Sequence, residues 1–78
     1  MTRYYFHVRS AAGLDHDPEG AEFEDIAAAN REALQAAREM VAEMVLAGDK
    51  IDGNQFEITD EAGVVVSTVP FKAAVNFK

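Results

Sequence analysis

The sequence predicts an α+β domain in the order β-β-α-β-β, with one long helix packed on one face of a three- or four-stranded antiparallel sheet. Residues 25–47 follow a helical pattern, residues 3–9 alternate between apolar and polar side chains, and residues 55–59 and 64–69 resemble a strand pair. At 78 residues the chain is expected to form a single domain spanning 1–78. Residues 72–78 are predicted to be a short strand or a frayed tail.

The predicted helix is amphipathic. Asp25 is a candidate N-cap, because its carboxylate can accept hydrogen bonds from the first turn, and Gly48 can adopt the left-handed conformation that ends many helices. Leu46 lies opposite the apolar stripe and is expected to be exposed. The stripe, which should pack on the sheet, contains Ile26, Ala29, Ala33, Ala37, Met40, Val41 and Met44.

The first strand should present two different faces. Side chains at positions 4, 6 and 8 are expected to face the helix, and those at 5, 7 and 9 to face solvent. Residues 10–20 are predicted to be a loop, and residues 21–23 a short second strand that leads into the helix. Ile51 is expected to lie under the end of the helix.

The second strand pair is predicted to be a hairpin. Asp60-Glu61-Ala62-Gly63 suits a tight turn, and Pro70 should end the pairing. Residues 64–66 are valines on both faces, which predicts a central strand or a covered second face. Phe71 should pack back on the core. The predicted core is Tyr4, Phe6, Val8, Phe23, Ile26, Ala33, Ala37, Met40, Val41, Met44, Phe56, Ile58, Val65, Val69 and Phe71.

Composition excludes several classes of function. The net charge of −7 disfavours nucleic acid and anionic membrane surfaces, because both are bound through Lys and Arg. The chain has no cysteine, which excludes disulfides and thiolate zinc sites and suits a reducing cytoplasm. The first residues do not resemble a signal peptide, and no run of apolar residues is long enough to span a membrane. A cytoplasmic protein is therefore expected.

Several short motifs together resemble a known family. They are the opening Arg3-Tyr4-Tyr5-Phe6-His7-Val8, the spacing Asp17-x-x-Gly20, an alanine-rich helix, the hairpin Thr59-Asp60-Glu61-Ala62-Gly63, and the ending Val69-Pro70-Phe71. This set resembles a family of short, uncharacterised bacterial proteins from soil- and plant-associated species that share a domain of unknown function. The resemblance covers about positions 3–71. It implies a fold and a bacterial cytosolic location, but no activity and no catalytic residues.

Two clusters could carry chemistry. His7 could act as an acid, a base or a ligand, but the sequence shows neither a nucleophile motif nor a phosphate-binding loop beside it. A histidine that pairs with Glu57 or an aromatic ring on the sheet surface is the favoured interpretation. The segment Asp15-His16-Asp17-Pro18-Glu19 lacks the spacing of calcium and zinc sites and is expected to be a solvated acidic loop that binds metal weakly at most. We expect no catalytic, cofactor-binding or strong metal site, and therefore no enzyme.

The exposed sheet face is the strongest functional feature of the sequence. A single helix cannot cover both faces of a sheet, and tyrosine is enriched at protein interfaces. The expected interaction surface consists of Tyr5, His7, Arg9, Val66 and Thr68. The favoured function is a small interaction or regulatory module with a homodimer or protein partner, bound through this face or the sheet edge. The alternative is a module that binds a small anion through the first strand.

Overall fold

The computed structural model describes residues 1–51 and 53–74 and contains one helix and five strands within that part of the chain. The predicted α+β class is confirmed. The helix, α1, spans Ile26–Ala47. The strands are β1 (Thr2–Ser10), β2 (Gly13–Asp15), β3 (Ala21–Phe23), β4 (Gln55–Thr59) and β5 (Val65–Pro70), and a short 3-10 helix at Phe71–Ala74 follows β5.

The strands form one antiparallel sheet in the order β2-β1-β4-β5, and β3 also pairs with β1. One side of β1 pairs with β4 along Tyr5–Arg9. Its other side pairs with two short strands, β3 beside residues 2–4 and β2 beside residues 8–10. That edge of the sheet is therefore split into two pieces, and residues 16–20 connect them.

The sheet has five strands rather than the three or four expected. Residues 13–15 are predicted to be loop, but the chain turns back at once after β1, and Ser10 pairs with Gly13. The Ser10 hydroxyl accepts a hydrogen bond from the Ala12 amide inside this turn, 3.3 Å away. Gly13 has a φ of 128°, which L side chains rarely adopt. The strand that follows this turn is too short to show an alternation of apolar and polar residues in the sequence.

Both predicted helix boundaries are confirmed. The Asp25 carboxylate accepts a hydrogen bond from the Ala28 amide at 2.9 Å, and Gly48 ends the helix with a φ of 78°. Ala29, Ala33 and Ala37 are fully buried, so the helix backbone lies close to the layer beneath it. Ser67 on β5 donates a hydrogen bond to the Asn30 side chain at 2.7 Å, which joins the helix to the last strand.

Aromatic rings and small helix residues fill the core between the two layers. Phe56 contacts Phe6 and Phe71, with ring centroids 5.8 and 5.2 Å apart, and Phe23 stacks on Phe6 at 5.6 Å. Phe71 packs on the core as predicted and is 1% exposed. Ile51 also packs against this cluster, as expected. The buried apolar residues are Ala29, Ala33, Ala37, Val41, Phe56, Ile58, Phe71 and Ala74.

Two predicted core residues are not in the core. Met40 is 36% exposed because it lies at the margin of the helix stripe, where it lines an open groove with Met44. Val65 is 52% exposed because the register between β4 and β5 shifts near Ile58 and Thr59. This shift pairs Val65 with Thr59, on the face away from the helix.

The prediction that residues 64–66 are central or covered is also wrong. The strand β5 lies at the edge of the sheet, and the three valines are exposed. Lys72 to Ala74 lie in the 3-10 helix rather than in a strand or a tail, because Phe71 and Ala74 pack inward. The rest of the predicted tail, 75–78, lies outside the described residues. Within the described ranges, no helix is long and apolar enough to cross a membrane.

Candidate functional site

The face of the sheet opposite α1 carries most of the predicted interaction surface, and we call it the open face. Strand alternation and the observed register place Tyr5, His7 and Arg9 there together with Thr68. Val66 lies at the register shift beside Val65 and is 42% exposed. The cross-strand rows on this face are Tyr5–Thr59–Val65, His7–Glu57–Thr68 and Arg9–Gln55–Pro70.

His7 is half-buried, and hydrogen bonds engage both of its ring nitrogens. Its Nδ1 accepts a bond from the backbone amide of Asp17 at 3.0 Å, and its Nε2 lies 3.1 Å from the Thr59 hydroxyl. An amide N–H can only donate, so Nδ1 must be the acceptor and the neutral ring carries its proton on Nε2. His7 therefore donates to Thr59, a buried polar residue that is 5% exposed. The ring could act as a base or a ligand only by breaking one of these bonds.

Asp17 is the residue that closes the split edge of the sheet. Its Oδ2 accepts from the Phe6 amide at 3.1 Å, and its Oδ1 accepts from the Glu19 and Gly20 amides at 3.2 and 3.1 Å. Phe6 lies in the part of β1 that neither short strand covers, so a carboxylate takes the place of a strand carbonyl. Partial burial alone would raise the pKa of Asp17, but the hydrogen bonds from the Phe6, Gly20 and Glu19 amides lower it.

Gly20 is required by the same arrangement. Its φ is 66°, and a Cβ atom at this position would lie 2.8 Å from the Tyr4 carbonyl oxygen and 2.9 Å from Cδ2 of Tyr5. The loop backbone therefore lies directly against the Tyr5 ring, which also stacks with His7 at a centroid distance of 6.3 Å. The spacing Asp17-x-x-Gly20 has a structural purpose, which is to connect β2 to β3 across the open face.

Arg9 is paired rather than available. Its Nε donates to Glu57 Oε2 at 2.9 Å and its Nη2 to Oε1 at 3.3 Å. The hydrogen bond to Glu57 raises the pKa of Arg9, and the same bond lowers the pKa of Glu57. Gln55 donates to the same carboxylate at 3.2 Å. The guanidinium therefore brings little free positive charge to the open face.

The acidic segment Asp15–Glu19 does not converge on a metal. Asp17 directs both oxygens at backbone amides, while the His16 ring lies edge-on to His7 at a centroid distance of 5.0 Å. Among residues 1–51 and 53–74, no group of three or more His, Asp or Glu side chains is placed to hold an ion. Sequence reasoning missed the role of Asp17, although its spacing from Gly20 was the available signal.

This geometry defines a two-layer α+β domain. The helix leaves one face of its sheet open, and a loop carboxylate takes the place of a strand carbonyl beside the first strand. A family model described as DUF6894, a domain of unknown function, matches residues 3–72. The chain belongs to this family. No curated protein and no solved structure matches it.

Proposed function

We propose that this protein is a small non-enzymatic interaction module that binds a protein partner through its open face. The observation that carries the proposal is the rigid aromatic surface around Tyr5. This ring is held between the Gly20 backbone and His7, and His7 is held by Asp17 and Thr59. A side chain that is already ordered loses little entropy on binding, so this surface is prepared for contact.

The chemistry of the same face supports a non-enzymatic role. His7 uses both ring nitrogens for structural hydrogen bonds, and the Arg9 charge is compensated by Glu57. These two residues would have to supply the base or the anion contact of the other functions. The paired state of Arg9 gives no support to small-anion binding, because the Glu57 carboxylate already occupies its guanidinium. We also propose, from the family resemblance and the cysteine-free sequence, that the protein acts in a bacterial cytoplasm.

The test is affinity capture from a bacterial lysate with three variants of the tagged protein. Tyr5→Ser removes the ring and Tyr5→Phe keeps it, while Leu46→Lys changes a helix residue that is 88% exposed and far from the open face. Circular dichroism must show all three variants folded. His7 is left unchanged because its substitution would remove the acceptor that holds the Asp17 amide, and with it loop 16–20, against the sheet.

The proposal predicts a partner that is captured by the wild type, Tyr5→Phe and Leu46→Lys, and lost with folded Tyr5→Ser. A partner that Tyr5→Ser retains would contradict binding through the open face. If the wild type captures no protein at all, the proposal that this chain is an interaction module is contradicted.

A further inference from the structure

We propose that the exposed edge of β5 pairs with the β5 edge of a second copy of this chain, in an antiparallel and two-fold symmetric arrangement. The inference rests on the proposed interaction role, since it names one partner. It concerns the edge of the sheet rather than its open face, and it can fail independently of the face.

The first support is the direction of the backbone groups on β5. The Phe71 amide donates to the Asn54 carbonyl at 2.9 Å, so these two residues form a hydrogen-bonded pair. Bonded and non-bonded pairs alternate along an antiparallel ladder. The pair Glu57–Thr68 is therefore non-bonded, and the N–H and C=O of Thr68 point away from β4 toward the open edge.

The second support is that this edge has no charged side chain. Residues 64–71 are uncharged in a chain that carries 14 acidic and 7 basic residues. Natural edge strands usually carry charges, Lys above all, to prevent pairing with other chains. Here Val64, Val65 and Val66 are instead 57%, 52% and 42% exposed. The register shift beside Val66 and the Pro at position 70 limit the pairing to the middle of the strand.

The third support is charge complementarity beyond the two ends of the uncharged segment 64–71. The nearest charges that flank the uncharged segment are Glu61 before it and Lys72 after it, and both side chains are exposed. Antiparallel pairing about an axis near Ser67 brings Glu61 of one copy to the same end as Lys72 of the other. Two copies with a net charge of −7 each could thus meet at a neutral surface with an opposite-charge pair at each end.

The size of this edge predicts a weak dimer. A strand of six residues is about 20 Å long, and the molecule is 16 Å across in its thinnest dimension. The exposed edge of β5 presents a surface on the order of 300 Å² per copy, against roughly 800 Å² per partner in a stable complex. We therefore expect a dissociation constant on the order of 100 µM, which corresponds to a fast monomer–dimer equilibrium.

The test is sedimentation velocity of the purified full chain from about 10 µM to about 1 mM, with two matched variants of Thr68. Thr68→Pro removes the outward N–H, which β4 does not use, while Thr68→Val keeps this N–H and a β-branched shape. Wild type and Thr68→Val should rise with concentration from 8.5 kDa toward twice that mass, and Thr68→Pro should remain at 8.5 kDa. Val66→Lys, which places a charge at the edge and leaves the backbone intact, should weaken the dimer at least tenfold.

Two results would overturn the inference. One is a wild type that stays monomeric at about 1 mM, and the other is a Val66→Lys protein that dimerises as strongly as the wild type. If circular dichroism shows that Thr68→Pro does not fold, the Val66→Lys result decides whether the β5 edges pair. A monomeric wild type that still captures a Tyr5-dependent partner would leave the open-face proposal standing, so the two failures are distinguishable.

Discussion

Replacing Asp17 with alanine should destabilise the fold far more than an exposed acidic residue of this loop normally would. The substitution leaves the part-buried Phe6 amide without an acceptor, which costs about 1–3 kcal/mol. Loss of the bonds from the exposed Glu19 amide and the part-buried Gly20 amide adds about 0.5 kcal/mol each. We expect a loss of about 2–4 kcal/mol, or roughly 10–30 °C in Tm for a domain of this size.

Urea unfolding followed by circular dichroism measures the loss, and Asp15→Ala is the matched control. Asp15 carries the same charge two residues earlier and is exposed, so its removal should cost under about 0.5 kcal/mol. Asp17→Asn, which keeps one of the two carboxylate acceptors, should lie between the two. Amide hydrogen exchange provides a local check, because Phe6 should lose protection selectively in Asp17→Ala.

The lowered pKa of Asp17 gives this prediction a pH dependence. A carboxyl whose pKa is lower in the folded state stabilises the fold above its unfolded pKa of about 3.9, and that contribution disappears as the pH falls through the folded pKa. The gap in stability between wild type and Asp17→Ala should thus be full at pH 7 and shrink below about pH 4. Equal stability of Asp17→Ala and Asp15→Ala at pH 7 would show that the Asp17 carboxylate does not stabilise the split edge of the sheet.

Three further substitutions, one of them with a matched control, test the rest of the fold by thermal and urea unfolding. Gly20→Ala should cost about 2 kcal/mol or more, because a positive φ is combined with a clash against Tyr4 and Tyr5. The control Gly63→Ala, at a φ of 84° with open space around it, should cost about 1 kcal/mol. Equal costs would contradict the close approach of the Gly20 backbone to the two tyrosines. Asp25→Ala should cost about 1 kcal/mol through loss of the N-cap, and an unchanged Tm would contradict the cap. Phe71→Ala should cost about 3–5 kcal/mol through the cavity it leaves, and a loss below 1 kcal/mol would place this ring outside the core.

The parts of the fold that local patterns encode were predictable. The helix begins after Asp25 and ends before Gly48 because each cap depends on a single residue type with a known conformation. The hairpin turn at Asp60–Gly63 was predictable for the same reason, and the Gly63 amide donates to the Asp60 carbonyl at 3.0 Å.

The features that depend on long-range pairing were not predictable. Three valines in a row indicate burial on average, but only the strand order shows that β5 lies at an edge. The short strand β2 depends on a turn whose pairing with β1 leaves no periodicity in three residues. Met40 belongs to the apolar stripe by angle, yet exposure at its margin depends on what lies beneath the end of the helix.

The candidate site shows the same division between local and long-range information. The alternation of residues 4–9 correctly places Tyr5, His7 and Arg9 on one face, but it cannot show that loop 16–20 folds over that face. His7 and the acidic segment, the two features of the sequence most suggestive of chemistry, are joined by a hydrogen bond from the Asp17 amide to His7 Nδ1. The need to close a split strand edge explains the aspartate at position 17, whose carboxylate accepts from the Phe6, Glu19 and Gly20 amides. What the architecture leaves unexplained is the surface formed by the half-buried ring of Tyr5 and the exposed Val65 and Val66, and function should be sought on that surface.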